Sequence, residues 1–314
     1  MEKNLSRRNI LGILPLAALS SSCTVMSDNE KSRTSKSKTN ARKDKKQESF
    51  YQEKDILDEI KRLEELENIN FVTFLESQSY ILSRNPALAE VLRKTLKPGS
   101  QAYEYLSKVR KLELEEFKKV ELNRDIKAYI LSLNFDKALH EIGPCLGHFV
   151  GTYKILKEMG YQENEAYTGL FHAVYGTEFN PIQLLSSDIP FHRKSLSHIV
   201  GVSEEGWIYN YARMDTTSLI NMVKENPGKS QYEVLDAIDK KNKIILSQWE
   251  ARLQLDALVA NAFEPFLASK KLGLDKKSLQ GSLKRVLRFE PLKTFVSPKA
   301  KDIISMSSEK IKSL

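Results

Sequence analysis

The chain has 314 residues, 41% of them hydrophobic and 29% charged, enough for one sizeable buried core under a polar surface. Its formal net charge of +8 is concentrated: Lys31 to Lys46 holds eight Lys or Arg against the single Asp44, and residues 47–314 carry about +1. Charge therefore gives no reason to expect a nucleic-acid-binding face on the folded part, and two cysteines, Cys23 and Cys145, are too few for a cysteine-based zinc site.

Residues 1–23 read as an export signal. Lys3, Arg7 and Arg8 form a positive n-region, Ile10 to Leu19 a short apolar run, and Ser20 to Cys23 a small-residue close. The apolar run is about half of the ~20 residues a membrane-spanning helix needs. Ser6-Arg7-Arg8-Asn9-Ile10-Leu11 resembles the twin-arginine motif, whose route carries proteins already folded. An ordinary export signal that happens to hold two arginines is the alternative. Cys23 resembles the acceptor cysteine of a bacterial lipoprotein, with one departure: Ser20 stands where that box has Leu, and Leu19 is one place early. Acylation at Cys23 would make the membrane a partner through an N-terminal anchor, at the cell envelope; cleavage without acylation would release a soluble exported protein. Residues 24–49, rich in Lys, Ser, Thr and Asn, are expected to be a disordered basic linker, a tether with adhesion to anionic headgroups as its second possible role.

From Phe50 onward the chain reads as all-α. Ile56, Ile60, Leu63 and Leu66 form a first apolar stripe at threes and fours. Further helices are expected over 70–83, from Pro86 to Leu96, from Ala102 towards Leu122, and from Asp125 to Leu133. Residues 50–130 thus form an N-terminal helical region in which nothing singles out chemistry. The core is expected over 131–268. There Asp136 to Glu141 is helical, Gly143-Pro144 breaks it, and a new helix runs from Pro144 to Met159 with Gly160 as its stop. Gln162 to Tyr175 follows, ended by Gly176. After a loop, Arg193 to Val200 is stopped by Gly201, and a helix opening at Ser203 carries Trp207, Tyr211 and Asp215 at fours. Helices are also expected over 231–240 and 241–263. Residues 269–314 hold one last helix, 276–287, and a loose polar tail from Ser297.

All five histidines, His140, His148, His172, His192 and His198, lie within one fifth of the chain, which points to a single site there. His148, His172 and Asp215 fall on three successive predicted helices, and side chains on facing helices are a common way to build a metal site. Each also has a structural reading. His148 suits a buried ring bonded to a carbonyl, although Gly147 and Gly151 open room beside it. His172 suits a helix end, and Asp215 a partner for Arg213 or a cap for the next segment. His140 reads as structural, His192 and His198 as partly exposed, and Cys145 as a small core residue.

The order His148, His172, Asp215 resembles the HD-domain-like superfamily of all-α metal-dependent phosphohydrolases and oxygenases. A closer resemblance, to an uncharacterised bacterial family within that group, rests on five pieces spanning about 130–265. They are His148-Phe-Val-Gly-Thr-Tyr153, Gly169-Leu-Phe-His172-Ala-Val-Tyr-Gly-Thr-Glu178, Ile199-Val-Gly201, Glu205 with Tyr209, and Ala260-Asn261 with Glu264. The resemblance implies an HD-like helical bundle, with residues 50–130 as an added layer. It also implies His148, His172 and Asp215 as ligands of Fe, Mn or Zn, and Glu178 as auxiliary ligand or general base. Tyr175 and Thr177 would orient the substrate or a water. In active members an Asp follows the second His; here Ala173 stands there. Two functions follow: a metal-dependent hydrolase or oxygenase of a small molecule, or a non-catalytic envelope binding or scaffold module that has lost the metal.

Overall fold

The computed structural model describes residues 53–65, 90, 94, 96–138, 144–177 and 183–314. Outside these lie the export signal with Cys23, the linker, the helix expected at 70–83, most of Pro86 to Leu96, and both His140 and Glu178. The described chain is all-α, with eleven α-helices and one two-stranded hairpin. No helix among these residues is long and apolar enough to cross a membrane.

Three helices make the N-terminal layer: α1 (Glu53–Glu65), α2 (Gln101–Lys118) and α3 (Arg124–Ser132). Ile56, Ile60 and Leu63 of the predicted stripe are buried, and α1 rests on α2 and α3. Ser100 opens α2 by accepting the Tyr103 amide (3.2 Å), and Asn123 opens α3 by accepting that of Asp125 (2.8 Å). A buried ion pair closes the layer: Arg110 donates to the Asp136 carboxylate at 2.8 and 2.6 Å and to the Leu63 carbonyl at 2.6 Å.

Behind this layer lie α4 (Cys145–Glu158) and α5 (Glu163–Phe171), then α6 (Pro190–Val200), α7 (Val202–Arg213) and α8 (Thr216–Glu225). α4 starts after Pro144 and ends before Gly160 (φ +94°), and Gly201 (φ +109°) separates α6 from α7, all as the sequence predicts. α4 and α5 cross closely at Gly169, where a Cβ would lie 2.8 Å from Leu156 and 3.1 Å from the Thr152 backbone. The longest helix, α9 (Gln248–Lys271), runs through the middle with both flanks buried, against α4, α5, α10 (Lys276–Val286) and α11 (Pro298–Ser313).

Five expectations are corrected. Residues 231–247 are not helical: β1 (Gln231–Leu235) and β2 (Lys243–Ser247) pair antiparallel, Tyr232 opposite Leu246 and Val234 opposite Ile244. Tyr232 and Val234 point inward while Gln231, Glu233 and Leu235 are exposed, a period of two too short to stand out beside helical neighbours. α9 begins only at Gln248, where Ser247 and Glu250 cap each other (3.2 and 2.8 Å). The tail from Ser297 is not loose: Ser297 accepts the Ala300 amide at 3.3 Å, Pro298 sits in the first turn, and α11 buries Ala300, Ile303, Ile304 and Ser307. Finally, Asp136 to Ala138 form a turn rather than the start of the helix expected to Glu141, whose residues 139–141 lie outside the described ones, and α5 stops at Phe171, leaving 172–175 as a turn before Gly176 (φ +77°).

Candidate functional site

Pro144, itself extended (φ −60°, ψ 155°), directly precedes α4, which sets His148 one turn in, flanked on the helix surface by Gly147 and Gly151. The room those glycines leave is filled by two glutamates from other helices. Glu113 of α2 accepts the Gly147 amide at 3.0 Å, and a Cβ on Gly147 would lie 2.5 Å from its carboxyl oxygen. Glu264 of α9 passes over Gly151, where a Cβ would lie 2.5 Å from its Cγ, and places Oε2 2.6 Å from His148 Nδ1. His148 and Glu264 are both buried, and the Thr152 hydroxyl donates to the His148 carbonyl at 2.8 Å. Loss of hydration pushes the Glu113 carboxyl well above the usual carboxylate range; the Gly147 amide opposes this and the nearby Glu264 reinforces it.

These groups line a cavity of about 270 Å³ between α2, α4 and α9. Its walls are mainly apolar, with Val109, Val150, Ile155 and Leu272 among them, and Lys154, Glu158, Glu116 and Lys271 add charges to the lining. Leu112 and Leu267, also in the lining, are 44% and 43% exposed, so the cavity opens at the surface. Its volume is near the lower end of the ~300–1,000 Å³ usual for small-molecule sites.

The second predicted histidine is adjacent. The rings of His148 and His172 are 5.1 Å apart, edge to face, and His172 also packs on Phe149 (4.9 Å) and Tyr211 (5.4 Å). The Gly169 carbonyl lies 2.7 Å from His172 Nδ1 and can only accept, so Nδ1 carries the proton. Asn261, from the Ala260-Asn261 piece, donates to the Tyr211 hydroxyl at 2.9 Å.

Asp215 does not join them. It is not on α7, which ends at Arg213, but caps α8: its carboxylate accepts the Ser218 amide at 2.8 Å and faces Lys240 at 3.5 Å. Its amide donates to Leu235 of β1 (2.8 Å), and Arg213 pairs with Asp236. Among the described residues no three His, Cys, Asp or Glu side chains gather as a metal site would need. The structure thus brings His148 and His172 together but not Asp215, whose carboxylate is engaged by Ser218 and Lys240.

Tyr175 is likewise occupied. Its hydroxyl donates to Glu205 (2.9 Å), which also takes Arg193 through both oxygens (2.7 and 2.8 Å), while the Arg193 guanidinium stacks 3.7 Å from the Tyr209 ring. This network ties α6 to α7 and to the turn after α5. Thr177 is half-buried just beyond Gly176. The Ser186 amide donates to His192 Nδ1 (3.0 Å), His198 is exposed, and Cys145 is a buried free thiol pushed up by burial.

Glu113 is the residue the sequence reading passed over. Its signal is position: Leu106, Val109, Arg110, Leu114 and Phe117 mark the buried stripe of α2, and Glu113 falls within it. Glu264 entered only through the family resemblance.

A family model described as "Domain of unknown function (DUF6817)" matches residues 130–216, less than half of the chain. No curated protein and no solved structure matches. The matched stretch contains His148, His172, Tyr175, Thr177 and Asp215. Glu113 and Glu264, which complete the cavity, lie on either side of it.

Proposed function

We propose that this protein binds a small, largely apolar molecule in the cavity between α2, α4 and α9, and presents to it an acid–base set made of Glu113, His148 and Glu264. One observation carries the reading: two glycines a turn apart on α4, on either side of His148 in the sequence, each admit a glutamate from a different helix, Glu113 half-buried and Glu264 buried. Burying two carboxylates near each other is costly unless something uses them. Glu113, pushed toward its neutral form by loss of hydration, can donate a proton. Glu264 fixes His148 from the Nδ1 side, as the third member of a catalytic set orients a base. An enzyme built this way would move a proton on its ligand, by hydrolysis or by rearrangement; a binding module would use the same groups for recognition.

The metal-dependent hydrolase or oxygenase implied by the HD-like resemblance is supported by two neighbouring buried histidines, one on α4 and one just after α5, each held through Nδ1 by an acceptor. Its third ligand as predicted, Asp215, is spent on capping α8, so no step is assigned to a metal. Residues 1–23, acting as an export signal, would put the cavity in the cell envelope, tethered through Cys23 if that residue is acylated.

The test is the small-molecule content of the full chain purified from its own host, read by mass spectrometry after denaturation. A bound compound depleted in Glu264→Gln and in Ala268→Trp, which fills the cavity, is the expected result. An extract identical in wild type and Ala268→Trp overturns the reading. Stoichiometric Fe, Mn or Zn lost in His172→Ala would replace it with the metal one.

A further inference from the structure

We propose that the corner where α9 turns into α10 is a membrane-docking face that seats the cavity mouth against an anionic lipid surface. The near-neutral sum over residues 47–314 conceals two opposed parts. Residues 269–314 hold ten Lys and two Arg against Asp275, Glu290, Asp302 and Glu309, a net +8, so residues 47–268 sum to −7. Folding gathers part of that positive charge: Lys276, Lys277 and Lys284 line one shallow hollow on α10 with Gln280 and Gly281, while Ser278, Ser282, Leu283 and Val286 hold the opposite side of the helix in the core.

The hollow follows the cavity lining closely along the chain. Lys271 and Leu272 line the cavity, and the turn through Asp275 is all that separates them from Lys276. Leu112 and Leu267, nearly half exposed, add apolar surface to the same mouth. Lysines beside exposed leucines are the pairing a lipid interface rewards: the ammonium groups meet phosphate headgroups while the leucines enter the boundary with the acyl chains. Nucleic acid suits the face less. Phe289 and Phe295 are buried, so no aromatic ring of 269–314 is offered for base stacking, and arginine, the better fork for phosphate edges, is scarce. An anionic bilayer would also be the natural source of an apolar ligand. That last point rests on the cavity reading above; the docking itself rests on charge and exposed leucines alone.

The experiment is flotation of the full chain with vesicles of phosphatidylcholine alone or mixed with phosphatidylglycerol, every variant carrying Cys23→Ser so that no acyl chain contributes. Binding should require phosphatidylglycerol and fall with added salt. Lys276→Gln/Lys277→Gln/Lys284→Gln should weaken it on the order of 100-fold, about fivefold per lysine. A control of equal charge, Lys111→Gln/Lys157→Gln/Lys224→Gln, should change it far less. Leu112→Ser/Leu267→Ser should weaken it further in either background. Equal losses in the two triple variants, tighter binding to a DNA duplex than to vesicles, or self-association at low salt in place of vesicle binding would overturn the docking face. Indifference to the leucine changes would overturn the seating of the mouth. Because the three α10 lysines do not line the cavity, their loss should leave any co-purified molecule in place, which separates failure here from failure of the cavity reading.

Discussion

Arg110 and Glu113 sit three residues apart on α2 and therefore share a side of the helix, yet the fold treats their charges in opposite ways. Arg110 is sealed. Its guanidinium meets Asp136 twice and the Leu63 carbonyl once, with the two side chains 1% and 0% exposed. Glu113 meets a backbone amide and a neighbouring carboxylate, and it borders a cavity. A buried charge met by an opposite charge of good geometry holds elements together. A buried carboxyl pushed toward its neutral form at a cavity is poised to act on something else. The Tyr175–Glu205–Arg193 network belongs with Arg110 in this respect, which is why Tyr175 reads as scaffold despite its place in the signature stretch.

The widest separation of the two cases should come from breaking the sealed one. Arg110→Ala leaves Asp136 buried without its cation and frees the α1 carbonyl, so a loss of about 3–5 kcal/mol is expected in chemical denaturation. Arg110→Met/Asp136→Leu should recover most of that loss, as replacement of a buried pair by hydrocarbon often does. If the double variant is as unstable as the single, the pair has a role beyond neutralising charge.

Gly151→Ala comes next. Its methyl would meet Glu264 Cγ at 2.5 Å, so the glutamate must swing away from His148 or α9 must move. A loss of about 1–3 kcal/mol is expected, together with any bound small molecule. Gly160→Ala, where nothing lies within 4 Å but φ is +94°, separates backbone strain from crowding: it should lower stability and leave the ligand in place. Asp215→Ala should cost about 1 kcal/mol, the usual value of an N-cap, with no change at the cavity. Loss of a bound metal in that variant would restore Asp215 as a ligand.

How far the sequence carried depends on the kind of signal. α4 was legible because Pro144 and Gly160 bracket it, and the approach of His148 to His172 because His148 lies on α4 and His172 directly follows α5, which crosses α4 at Gly169. The Asp215 cap was visible as one of two alternatives, but its place on α7 was not correct, since Met214 breaks the helix with ψ 139° and pairs with Asp236. The hairpin was hidden by its brevity, and α11 by a polar composition that still spaces Ala300, Ile303, Ile304 and Ser307 for burial. Glu113 was hidden for a different reason. What sets it at the cavity is its meeting with Gly147, 34 residues on, and with Glu264, 151 residues on, and no local pattern encodes a contact at that range.

The smallest expected effect is also the one that tests Glu113 most directly. Its carboxyl is raised by burial above the ordinary value of 4.5, so the folded state holds the proton more tightly than the unfolded chain does. Below pH 4.5 both states are protonated and the stabilisation is complete. As pH rises the unfolded chain releases its proton first, and the folded state loses stability steadily until its own raised value is passed. Glu113→Gln has no proton to lose and can still accept the Gly147 amide. Its melting temperature should therefore match the wild type in acid and exceed it toward neutral pH, by ~2–4 °C for each kcal/mol regained in a body of this size. A wild type that instead gained on the variant as pH rose would mean that Glu113 is ionised and paired in the folded state, which would move it from the company of a proton donor to that of Arg110.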